Sequence, residues 1–129
     1  MSEFKNQISQ FIDTNAKTYQ DISLAIHAKP EVSDFEYFAS QTLSEQLKKE
    51  GFEIELPAAG HRTGFAATYK SNKPGPTVVF PAEYDALAGL GHGCGHNVFG
   101  ATSSLAGAAL KSVVDQIGGE VRVYGTPGE

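Results

Sequence analysis

The chain has 129 residues, 40% hydrophobic and 19% charged, with a formal net charge of -5. That is enough for one domain with its own core, and too apolar for a disordered chain. The Lys and Arg are scattered, so nucleic acid and anionic membranes find no basic patch, and no apolar run nears the ~18 residues of a membrane span.

The first twenty residues are polar and periodic, which excludes a secretory leader. Phe4, Ile8, Phe11, Ile12, Tyr19, Ile22 and Ile26 recur at helical spacing and predict an amphipathic helix over roughly 3–27. Pro30 bars its continuation. Ser33 and Glu36 have the spacing of a capping box, and the helix they open carries Phe35, Phe38, Thr42, Leu43 and Leu47 on one face. Lys48 and Lys49 suit its C-terminus, and Gly51 supplies a left-handed stop.

The period then falls to two. Phe52, Ile54 and Leu56 alternate with Glu53 and Glu55 as a half-buried strand. After a polar link, Phe65–Lys70 predicts a second strand, and 71–76 is turn chemistry. Thr77–Ala82 is short and continuously apolar, as in a central strand. A glycine-rich segment at 89–95 leads into a helix of small residues that starts at His96 or Asn97 and stops at Gly118. Residues 120–124 form the last strand. A strand–helix–strand ending of this kind predicts a right-handed parallel crossover, hence an α/β fold with a layered mixed sheet and flanking helices. The final loop, 125–129, leaves the C-terminal end of a strand, where active sites of open sheets lie. A chain that stops there reads as a piece of something longer.

The loop between the apolar strand and the small-residue helix concentrates the chemistry. Glu83, Asp85, His92, Cys94 and His96 all fall within it, and Cys94 is the only cysteine, so no internal disulfide forms and a reducing cytoplasm is the default. Thiolate and imidazole suit zinc, carboxylates suit zinc or manganese, and the glycines let the backbone turn the donors inward. A solvated loop with an inert thiol is the plain alternative. His27 and His61 read as ordinary surface or capping residues. The glycine spacing matches no nucleotide fingerprint, and a structural zinc would need a second Cys or His pair. A Cys94 nucleophile with His96 as base is chemically possible, although neighbours two apart rarely reach one another.

The succession 26–55, then FPAEYDALAGLGHGCGHN, then the small-residue helix, then VRVYGTPGE resembles the two-metal amidohydrolases and peptidases. These include hippurate hydrolase, bacterial aminoacylases, auxin-conjugate hydrolases and aminobenzoyl-glutamate hydrolase. The EYDAL and GHGCGHN forms are most similar to the aminobenzoyl-glutamate hydrolase branch. The resemblance implies a truncated zinc-exopeptidase-like catalytic domain occupying residues 1–129, with its dimerisation domain and C-terminal part outside the chain. It implies two divalent metal ions, zinc or manganese, with Cys94 and His96 as ligands. Asp85 would orient a ligand from behind, and Glu129 would be the general base that activates water. Glu83 stands where carboxypeptidase-type relatives carry a histidine ligand. The implied parent is a cytoplasmic homo-oligomer that hydrolyses N-acyl amino acids, aminoacyl conjugates or dipeptides.

This chain alone is expected to be inactive and to hold metal weakly, because two ligands bind far less tightly than four or five. The strand 120–124 is expected to be left with an unpaired edge that promotes self-association. The competing readings are a non-catalytic, self-associating binding module and a redox-active cysteine protein.

Overall fold

The computed structural model describes residues 2–128. In chain order they form α1 (Ser2–Ala28), α2 (Tyr37–Lys49), β1 (Glu53–Glu55), β2 (Phe65–Lys70), β3 (Thr77–Ala82), α3 (His96–Ile117) and β4 (Glu120–Gly125). The strands make one mixed sheet in the order β1-β2-β4-β3. β1 and β2 are antiparallel, as are β2 and β4, whereas β3 and β4 run parallel with α3 between them in sequence. The predicted parallel pair is thus present.

Alternation decides which face is covered. Val121 and Val123 of β4 are buried while Arg122 and Tyr124 are half-buried. Val123 lies in register with Ala67 and Phe80, so the three share a face. α3 packs over β3 and β4, α2 over β1 and β2, and α1 lies against α3 as an outer layer. The core between them includes Leu43, Leu47, Phe65, Tyr84, Val121 and Val123. The small residues of α3 let it come close. A Cβ on Gly100 would sit 2.9 Å from the Glu83 carbonyl oxygen, so a side chain there would push the helix off the loop that begins at the end of β3. None of the helices is long and apolar enough to cross a membrane, among the described residues.

Three expectations are corrected. β3 is an outer strand, not a central one, and Val78 and Val79 are 37% and 42% exposed. A continuous apolar run signals burial on both faces, but here helices cover only one. Conversely, the strand expected to leave an open edge is interior, since β4 lies between β2 and β3. Among the described residues the outer strands are β1 and β3. Pro76 and Ala82 turn their carbonyls towards β4. Strand alternation therefore points the backbone groups of Thr77, Val79 and Pro81 outward. Pro81 has no N–H, and on that side the sheet loses no bond by it.

The third correction concerns the start of α2. Ser33 does not cap it, and Glu36, the residue before the helix, makes no capping bond with its side chain. Glu31 does the capping: its carboxylate accepts from the amides of Phe38 at 2.9 Å and Ala39 at 3.0 Å. Each free amide of the first turn needs an acceptor, and an anion there also gains from the helix dipole. Phe35 consequently lies outside the helix and is exposed, with the Arg62 guanidinium 4.7 Å from its ring centre.

Candidate metal and catalytic site

Glu83, Tyr84 and Asp85 leave the end of β3 with alternating directions. Tyr84 points into the core, fully buried, stacks on Phe65 at 6.1 Å and donates its hydroxyl to the Thr63 carbonyl. Burial, and then the nearby carboxylates of Glu36 and Asp85, hold the Tyr84 hydroxyl well above the ordinary tyrosine range, so it remains a donor. Glu83 and Asp85 point the other way, onto one histidine. His96 opens α3, and its Nδ1 is 2.9 Å from Asp85 Oδ1 and 3.1 Å from the Asp85 carbonyl. Its Nε2 is 3.0 Å from Glu83 Oε1.

A neutral imidazole has one N–H and one lone pair. With the hydrogen on Nδ1, facing buried Asp85, the Nε2 lone pair meets the electron pairs of Glu83. Two opposed lone pairs 3.0 Å apart need a proton or a cation between them. Two atoms each ~2.1 Å from one metal lie about 3 Å apart when the angle at the metal is near 90°. The separation therefore fits a divalent ion as well as it fits an imidazolium. Glu83 faces the ring nitrogen that Asp85 leaves free.

The glycines at 91 and 95 adopt positive φ and turn the loop as expected. They do not gather every donor. Cys94 is an exposed free thiol, and among the described residues no group of three or more His, Cys, Asp and Glu side chains could hold a metal. His92 lies 6.2 Å from the His27 ring, with both ring nitrogens buried and unpartnered among the described residues. Burial first, then the positive potential of His27 and His96, hold His92 below the ordinary imidazole range against the opposite pull of Asp85 and Glu31.

Glu129 lies outside the described residues, but the loop leading to it is pinned. Thr126 donates from its amide and hydroxyl to the Ala82 carbonyl, at 2.9 and 3.2 Å. Gly128 donates its amide to Glu36 Oε2 at 3.0 Å, and Thr63 donates its hydroxyl to Glu36 Oε1 at 2.8 Å. Sequence reasoning missed Glu36 in this role. Its spacing from Ser33 suits a capping box equally well, and only its full burial separates the two.

No family model matches the chain. A p-aminobenzoyl-glutamate hydrolase component of Escherichia coli is 32% identical over 148 residues, which take in 100% of this chain and 30% of that protein. The crystal structure of a putative aminohydrolase from methicillin resistant Staphylococcus aureus superposes with a TM-score of 0.83 at 28% identity, over 96% of this chain and 35% of that one. A Bacillus subtilis protein, YXEP, described as a dinuclear metal binding peptidase from the M20 family, shares the fold with a TM-score of 0.71 at 24% identity, over 91% and 36%. The chain belongs to the M20 family. It spans about a third of the length of the curated M20 relatives it matches. The α/β class read from the sequence is that of its M20 neighbours.

Proposed function

We propose that this chain supplies the first part of the catalytic domain of a metal-dependent amide hydrolase. His96 and Cys94 are its contribution to a centre for two divalent ions, zinc or manganese, and Glu83 faces the same nitrogen of His96. The observation that carries the reading is His96 caught between two carboxylates, one at each ring nitrogen. A divalent ion between Nε2 and Glu83, with Asp85 on Nδ1, accounts for both carboxylates.

When bound, the metal would polarise an amide carbonyl and lower the pKa of water. The residues divide the remaining work. Asp85 holds His96 in the tautomer that presents Nε2. Cys94 binds as a thiolate, so metal affinity falls at acid pH. Glu129 accepts the proton of the attacking water and returns it to the leaving amine. The substrates are N-acyl amino acids, aminoacyl conjugates or dipeptides. A cytoplasmic homo-oligomer is the form that accompanies this reading, and residues 1–129 alone are inactive.

Cobalt(II) provides the test. Titrating it into the chain produces a thiolate-to-cobalt absorption band, which Cys94→Ser abolishes and His96→Ala weakens at least about tenfold in cobalt affinity. The reading fails if saturating cobalt gives no such band and neither substitution alters the metal content of the full-length enzyme.

A further inference from the structure

Glu36 is fully buried at the residue preceding α2, and it is an unusual group to find there. Among the described residues no lysine, arginine or histidine pairs with it. A buried carboxylate without a cation carries a large desolvation cost, and an apolar side chain of the same volume would fill the space with less loss. What the carboxylate provides is two strong acceptors aimed in different directions. Oε1 takes the hydroxyl of Thr63 from the link before β2, and Oε2 takes the amide of Gly128 from the loop after β4. The two donors lie 27 and 92 residues away in sequence. Glu36 therefore ties together the two chain segments just past the end of the β2–β4 ladder, where Phe65 pairs with Gly125.

The Gly128 end is tightly fitted. Its φ is +73°, and a Cβ there would lie 2.7 Å from Ser33 Oγ, so the backbone passes against the turn that carries Glu36 with no room for a side chain. Two residues earlier, Thr126 is tied to Ala82 at the end of β3. The loop is thus held at 126 to the strand and at 128 to Glu36, immediately before residue 129.

We propose that Glu36 is a positioning residue for the general base: it fixes the Gly128 amide and so sets where the Glu129 carboxylate is presented. This rests on the reading of Glu129 as the base. Proton transfer needs its acceptor within hydrogen-bond reach, and a displacement of about 1 Å costs on the order of 100-fold in rate.

Glu36→Met keeps the volume and removes both acceptors, while Glu36→Gln keeps an acceptor for Gly128. In the full-length enzyme, Glu36→Met lowers kcat about 100-fold with KM and metal content unchanged, and Glu36→Gln recovers kcat to within about tenfold of wild type. In the 129-residue chain, Gly128 amide exchange followed by NMR speeds up at least about tenfold in Glu36→Met and stays slow in Glu36→Gln. The inference is overturned if Gly128 exchanges faster in Glu36→Met while kcat holds within about threefold, or if its exchange does not change. It is also overturned if Glu36→Gln loses as much kcat as Glu36→Met, because the charge rather than the Gly128 bond would then matter. Glu129→Gln separates the two levels. If that variant retains hydrolysis, the base reading itself is wrong. If it abolishes hydrolysis while Glu36→Met leaves kcat intact, only the positioning role falls.

Discussion

Residues 83–96 leave β3 as a long, glycine-broken loop, whereas 126–128 leave the adjacent parallel strand β4 as a short segment bonded at two points. The first places polar side chains on the helix that follows it, and its thiol stays exposed. The second places almost nothing of its own among the described residues, and its amides are held by Ala82 and Glu36. The difference suits the two kinds of group each would carry. A metal ligand is drawn into place by the ion it binds, so the Cys94 thiol can stand exposed beforehand. A general base has no such tether and must be positioned by the fold alone.

That contrast can be broken at either loop. The largest effect is expected from Asp85→Ala, which strips His96 of its Nδ1 partner and lowers metal affinity 10- to 100-fold, on the order seen for ligand-orienting carboxylates. Calorimetric titration with zinc measures the change, and Gly128 exchange in the same variant should be unaltered. A change in affinity below about threefold would mean that Asp85 does not tune the ligand.

Next in size is the cap of α2. Removing it by Glu31→Ala costs about 1 kcal/mol in urea unfolding, whereas Ser33→Ala stays within about 0.5 kcal/mol. The reverse ranking would restore the capping box that the sequence suggests.

The smallest effect is on pH dependence without metal. His92 titrates below its ordinary value when folded, while the unfolded chain keeps the ordinary ~6.5. The unfolded state therefore takes up the proton first, and stability falls as pH drops through about 6.5. His92→Gln should flatten that slope between pH 7.5 and 5.5. An unchanged slope would assign the acid sensitivity to other groups.

The sequence makes some of this legible and hides the rest for identifiable reasons. Period 3.6 in α1 and period 2 in β4 read directly as an amphipathic helix and a half-buried strand, because each has one face against the core. The cluster of Glu83, Asp85 and His96 is readable because all three lie in the stretch that runs from the end of one apolar strand to the start of the next helix. The place of β3 at the rim is not readable, since an apolar run records that a strand is hydrophobic and says nothing of who its neighbours are. Glu36 is hidden for a related reason. A local pattern, S-x-x-E, explains it fully, while its real partners are set by tertiary contact with Thr63 and Gly128. Cys94 stands apart from these, prominent in sequence and exposed in the fold.

Pro81 sits last but one in β3, on the rim that no strand covers among the described residues. A strand laid along that rim would find amide donors at Thr77 and Val79, and at Pro81 only a carbonyl. The zip runs out there, two residues short of Glu83. A neighbour pairing along that rim therefore loses a donor just before the loop that leads to His96.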